Sequence, residues 1–271
     1  MKTLQLNSPL VSVDWLNSNQ NASNLIVLDA TINKVISSRS HRIPKARFFD
    51  IKLKFSDTSA PFPSTLPSQE QFQAEAQNLG INQDSVIVVY DDKGIYSSAR
   101  AWWLFRVFGF DNVAVLDGGL PEWKAQGYGV ENYYAETYSK GNIRVNYNSE
   151  LMVNFEGVNL FSTQPNTLIL DARSESRFKC LVDEPRAGLR RGTIPNSKNL
   201  PFTTLFNGNT LKPINDISII FNKLVGDNKT LVFSCGSGIT ACILALAATL
   251  CNYKNLIVYD GSWTEYGSLT D

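Results

Sequence analysis

The residue best placed for nucleophilic chemistry is a cysteine in a short glycine-containing loop, Cys235-Gly236-Ser237-Gly238-Ile239-Thr240-Ala241. The loop follows the apolar run Leu231-Val-Phe and opens a second apolar stretch with a helical pattern. Two glycines let such a backbone curl until several N–H groups point inward, and a helix N-terminus adds partial positive charge. A thiol at that mouth is stabilised as thiolate, its nucleophilic form. The same ring suits the negative outer sulfur of a persulfide. The bland alternative is a buried structural cysteine, which is the reading given to Cys242 and Cys251 inside the apolar stretch. The remaining cysteine, Cys180, completes a set of four with no CxxC pair, and His41 is the single histidine. A zinc site has almost nothing to be built from.

Two other chemistries fit the loop superficially. A CxxxxxR phosphate-binding loop needs an arginine six positions after the cysteine, and that position is Ala241. The spacing Gly236-x-Gly238-x-x-Ala241, with Asp260 further on, mimics a dinucleotide fingerprint. It lies too near the end of the chain to leave room for the rest of a nucleotide-binding sheet.

The elements that must hold this loop emerge when the chain is laid against itself. Leu25-Ile-Val-Leu-Asp29-Ala30 returns as Leu168-Ile-Leu-Asp171-Ala172, Val88-Val-Tyr-Asp91 as Val232-Phe-Ser-Cys235, and Leu116-Asp-Gly-Gly119 as Tyr259-Asp-Gly-Ser262. Asp29 and Asp171 are 142 positions apart, Asp91 and Cys235 144, and Asp117 and Asp260 143. So constant a spacing over half the chain implies two whole domains: 1–130 without a catalytic cysteine and 150–271 catalytic, joined by a polar linker of about 131–149. Strands are expected at 25–29, 86–90, 113–116, 168–171, 230–234 and 256–259, and helices at Ser97–Phe108 and Ile239–Cys251. Short β-branched strands alternating with helices predict an α/β fold, each domain a mainly parallel sheet flanked by helices.

Composition agrees with a globular protein, 43% hydrophobic and 18% charged. Acidic and basic residues balance at 25 each, so no overall field draws the chain to nucleic acid or an anionic membrane. Met1 to Ser8 contain no apolar core long enough for a signal peptide, and no run approaches a membrane span. With few cysteines, a reducing, cytoplasmic setting is expected.

The loop Cys-Gly-Ser-Gly-Ile-Thr resembles the active-site loop of the 3-mercaptopyruvate sulfurtransferases within the tandem rhodanese family. The similarity extends through Phe48-Phe-Asp-Ile51, Ser56-Asp57, Trp102-Trp103, Leu116-Asp-Gly-Gly119, Asp171-Ala-Arg-Ser174, Glu184-Pro-Arg186 and Asp260-Gly-Ser-Trp263. The resemblance implies a catalytic second domain and a first domain that has lost its cysteine, as Asp91 opposite Cys235 agrees. It implies that Arg177 and Arg186, nine residues apart, bind the donor's carboxylate with the loop residues Gly236, Gly238, Ile239 and Thr240. Arginine suits a carboxylate because its planar fork gives two parallel hydrogen bonds. Lys179, Arg190 and Arg191 read no differently from surface charge, and Arg100 and Arg173 read as structural ion-pair residues.

The resemblance also implies a proton relay of Ser237 and Asp57 with a histidine, whose place is taken here by Ser64. Further departures are Lys179-Cys180-Leu181 in place of a Gly-Thr stretch, and Arg42-Ile-Pro44 and Thr193-Ile-Pro195 where a histidine often precedes Ile-Pro. The implied reaction moves sulfur from 3-mercaptopyruvate through a Cys235 persulfide to a thiol acceptor, such as a small thiol or a thioredoxin-like protein, with neither metal nor organic cofactor. The alternatives are a thiosulfate sulfurtransferase, or a persulfide carrier that loads once without efficient turnover.

Overall fold

The computed structural model describes residues 4–34, 40–135 and 137–271. The first three residues of the stretch read for a signal peptide, and Glu136 of the expected linker, lie outside them. The chain forms two compact units, Met1–Thr58 with Leu66–Asn148 and Gly208–Leu211, and Ser59–Thr65 with Ser149–Asn207 and Lys212–Asp271.

The first unit runs β1 (Leu10–Val11), α1 (Val13–Asn19), β2 (Leu25–Asp29), β3 (Arg47–Phe48), α2 (Gln69–Asn78), β4 (Val86–Tyr90), α3 (Ser98–Val107), β5 (Val113–Leu116) and α4 (Gly119–Ala125). Its five strands lie in the order β1-β5-β4-β2-β3, all parallel. The central strand β4, Val-Ile-Val-Val-Tyr, is buried at every residue. That is expected of a parallel strand covered on both faces. Of the expected linker, residues 131–135 and 137–148 run along this unit. Arg42 and Glu131 exchange backbone hydrogen bonds of 2.9 Å, Ile143 N–H donates to Ile81 O at 3.1 Å, and Asn146 N–H to Phe108 O at 3.0 Å.

The second unit contains β6 (Met152–Val153), α5 (Phe155–Phe161), β7 (Thr167–Asp171), α6 (Glu175–Phe178) and β8 (Lys198–Asn199). After the short strands β9 (Phe206–Asn207) and β10 (Thr210–Leu211) come α7 (Ile214–Val225), β11 (Thr230–Ser234), α8 (Ala241–Leu250), β12 (Asn255–Tyr259) and α9 (Ser262–Leu269). The order β6-β12-β11-β7-β8 repeats that of the first sheet, again all parallel. The α/β fold with parallel sheets is therefore as the sequence predicted, and the longer strands fall at or within one residue of their expected spans.

Helix α8 is buried from Ala241 to Ala248, so its apolar character on all faces reflects a helix packed within the layers. It starts two residues later than expected, because Gly238 adopts φ 73° and delays the helical turn. Among the described residues, no helix is long and apolar enough to cross a membrane.

Candidate active site

Cys235 follows the C-terminal end of β11, the central strand of the second sheet, where ligands of parallel α/β sheets characteristically bind. Its side chain is buried, at 1% exposure. The loop is held from outside by the start of α9. Trp263 N–H donates to Cys235 O at 3.0 Å and Thr264 N–H to Gly236 O at 2.9 Å, while the Thr264 hydroxyl adds 2.5 Å to the same Gly236 oxygen. With their carbonyls engaged by α9, these loop peptides leave their N–H groups for the opposite side.

The buried hydroxyl of Ser262 lies directly beneath. It accepts the N–H groups of Cys235 and Gly238, each at 3.1 Å, and donates to Tyr259 O at 2.9 Å. Its oxygen is 3.9 Å from Cys235 Sγ. Ser262 holds φ 51°, a left-handed backbone that costs a non-glycine residue roughly 1–2 kcal/mol. The three hydrogen bonds offset that strain. Sequence reading passed over this serine, although the match of Ser262 with Gly119 in the other copy was a signal.

The duplicate loop reveals what the cradle is for. In the first unit Asp91 takes the place of Cys235, and its carboxylate is fully buried. Oδ1 accepts Lys93 N–H at 2.9 Å. Oδ2 accepts the N–H groups of Tyr96 at 2.7 Å and of Ser97 and Ser98 at 2.9 Å, with the Ser98 hydroxyl at 2.7 Å. One anion thus occupies a ring of backbone donors at the entrance to α3. Shifted by 144 positions, Lys93 and Tyr96 become Ser237 and Thr240. Among the described residues the backbone N–H groups of Ser237 and Thr240 take no hydrogen bond. Backbone N–H groups gathered at such a turn can serve as donors to an anion. Gly119 answers Ser262 with φ 52°, and Leu120 N–H bonds Asp91 O at 3.0 Å as Trp263 N–H bonds Cys235 O. The hydroxyl is found only in the copy that carries the thiol.

Arg177 reaches the loop from α6, a one-turn helix capped by the Ser174 hydroxyl, which accepts from Arg177 N–H at 3.4 Å. A Cβ built on Gly236 would meet Arg177 Nη2 at 3.1 Å and Nη1 at 3.8 Å, so the end of the guanidinium lies over the residue next to the cysteine. Its Nε and Nη2 are bound by Glu184, with Nε to Oε1 at 3.3 Å. Glu184 Oε1 also accepts Arg173 Nη1 at 2.8 Å. Arg173 continues to Asp171 through Nε at 2.9 Å and Nη2 at 2.6 Å, and to Gly192 O at 2.9 Å. Burial raises the Asp171 carboxyl above its ordinary range against the pull of Arg173, and the paired carboxylates raise Arg173 despite burial. Arg173 is the ion-pair residue expected of it.

The second unit thus brings together Cys235, Gly236, Gly238, Ile239, Thr240 and Arg177. Ser237 is half-buried on the same loop. Arg186 is exposed, and among the described residues its side chain makes no hydrogen bond or ion pair. Asp57 belongs to the first unit and is half-buried, and the buried Ser64 belongs to the second. His41 is exposed. Lys179 and Arg191 pair with Glu175 and Asp183, and Arg190 stacks on Trp263 at 4.8 Å and binds Thr270 O at 2.8 Å. Cys242 is buried as expected. Cys251 is not: it caps α8 half-exposed, accepting the Ser218 hydroxyl at 3.3 Å, because burial along the helix ends at Ala248. Among the described residues no cluster of His, Cys, Asp or Glu could hold a metal ion.

Comparison with known proteins gives the same picture. The Rhodanese-like domain profile matches twice, at residues 12–126 and 158–269. The chain is 36% identical over 270 residues to the 3-mercaptopyruvate sulfurtransferase of Escherichia coli K12, covering 96% of this chain and 95% of that one. It is 37% identical over 298 residues to thiosulfate/3-mercaptopyruvate sulfurtransferase 1, mitochondrial, of Arabidopsis thaliana, covering 99% and 78%. The crystal structure of SseA from Escherichia coli, a 3-mercaptopyruvate sulfotransferase with the rhodanese fold, superposes with a TM-score of 0.84 at 33% identity, over 95% of this chain and 99% of that one.

Proposed function

Because the chain belongs to the family of proteins with Rhodanese-like domains, carrying two of them, we propose that it is a sulfurtransferase taking sulfur from 3-mercaptopyruvate onto Cys235 and passing it to a thiol acceptor. The observation that carries this reading is the pair of equivalent loops: one cradle holds the Asp91 carboxylate, and its twin surrounds Cys235.

The cycle has two halves. In the first, the Cys235 thiolate attacks the donor's sulfur. A sulfur–sulfur bond forms, the donor's carbon–sulfur bond breaks, and its electron pair leaves on carbon as the enolate of pyruvate. The proton carried by the donor thiol balances that charge, with Ser237 proposed to relay it. The persulfide's negative outer sulfur lies against the N–H groups of Ser237 and Thr240. Arg177 and Arg186 hold the donor's carboxylate, and the walls are Gly236, Gly238, Ile239 and Thr240. In the second half, an acceptor thiolate attacks the outer sulfur and returns Cys235 as thiolate. A small thiol or a thioredoxin-like protein has the required chemistry. The reducing cytoplasm suits an enzyme that regenerates a free thiol each turn, and all four cysteines are free.

The test is intact-mass measurement after incubation with 3-mercaptopyruvate or with thiosulfate, beside Cys235→Ser. A gain of one sulfur from mercaptopyruvate, absent in the variant, is expected. Preferred loading by thiosulfate would overturn the donor, and one loading without turnover would make the protein a carrier.

A further inference from the structure

Arginine has five N–H donors arranged along two usable edges, one through Nε and one Nη, the other through both Nη atoms. In this structure the first edge of Arg177 is closed. Nε and Nη2 both point at Glu184, whose carboxylate is only 1% exposed. Only the edge through Nη1 and Nη2 remains, and it is this end that lies over Gly236, beside Cys235. Glu184 is itself held, since Oε1 binds Arg173 at 2.8 Å and Arg173 is tied to Asp171 at the end of β7 and to Gly192 O. The direction of one flexible arginine is thereby referred, through two ion pairs, to the rigid sheet.

We propose that Glu184 is a positioning residue, whose carboxylate fixes Arg177 so that only its Nη1–Nη2 edge meets the carboxylate of the sulfur donor. The proposal rests on the reading that Arg177 binds that carboxylate. Two consequences separate this role from plain structural support. Glu184 touches neither the cysteine nor the donor, so its loss weakens donor binding and leaves the chemical step nearly intact. Because it acts through Arg177, its loss has no further effect once Arg177 is gone.

The experiment is steady-state kinetics of the full chain with 3-mercaptopyruvate and a small thiol acceptor, on Glu184→Gln, Glu184→Asp, Arg177→Ala and the double variant Arg177→Ala/Glu184→Gln, with melting temperatures alongside. Glutamine keeps the shape but turns an amide NH2 toward an arginine N–H. Aspartate keeps the buried charge beside Arg173 but is one methylene too short to serve both arginines, and it carries the test if the glutamine variant does not fold. A displaced binding group costs roughly one to two orders of magnitude, so KM is expected to rise about tenfold in both Glu184 variants, with kcat within about threefold. In the Arg177→Ala background the Glu184→Gln change is expected to leave KM unmoved. A KM effect of equal size in both backgrounds, or a fall confined to kcat, overturns the positioning role. An unchanged KM in Arg177→Ala instead overturns the reading that Arg177 binds the donor.

Discussion

Single side chains in this protein are governed by burial acting on charge. Asp117 is one case. It sits half-buried where β5 runs into α4, and its Oδ1 accepts Leu211 N–H at 2.9 Å. Desolvation raises its pKa, and the backbone hydrogen bonds only partly oppose that shift. A carboxyl whose folded pKa lies above its unfolded value binds its proton more tightly in the native state. The stability it contributes is present at acid pH and is lost as pH rises through the raised value. Asp117→Asn keeps an acceptor for Leu211 without a titrating group. The variant is therefore expected to gain on wild type as pH rises from the ordinary carboxylate range through the raised value, then to hold a constant difference, as melting temperatures measured against pH would show. Cys235 was legible from sequence as a cysteine in a glycine loop behind a strand, whereas Arg177 was singled out through the family resemblance. Ser262 and Glu184 were not singled out, since each meets its partner, 27 and 7 residues away, only in the fold.

The elements were legible in proportion to their length. Runs such as Val86–Tyr90 and Thr230–Ser234 announce themselves by β-branched apolar composition, whereas β1, β3, β6 and β8 have two residues each and no period to read. The one-turn helix α6 shows what a short element needs at its ends. Ser174 caps its start, and Cys180 closes its end with φ 59°, a left-handed position that glycine fills without strain. Cys180→Gly is expected to stabilise the second unit by about 1 kcal/mol, visible as a higher denaturation midpoint with no change in slope. Loss of stability in that variant would mean that the Cys180 side chain contributes more than the strain it imposes.

For the molecule as a whole, the duplication was plain in the sequence, but the way the chain divides between the units was not. Ser59–Thr65 belongs to the second unit and Gly208–Leu211 to the first, although each segment lies in the opposite half of the sequence. Neither segment has a hydrophobic period, so nothing in composition marks where it packs. Cutting between 148 and 149 would leave each sheet whole but deprive each unit of one segment. Fragments 1–148 and 149–271 are expected to fold with their sheets intact and to melt below the full chain. Equal melting temperatures would show that the two segments add nothing.

The carboxylate of Asp91 bears on how the first unit is held together. Four backbone N–H groups and a hydroxyl converge on it, and hydrogen bonds to a charged group contribute about 1.5–3 kcal/mol each. This cradle is a fastening for α3, with the carboxylate supplied by the chain itself. Asp91→Cys would loosen that fastening, and Gly119 would still lack the hydroxyl that Ser262 holds 3.9 Å from Cys235 Sγ in the other copy. The same loop thus fastens a helix in one unit and presents a thiol in the other.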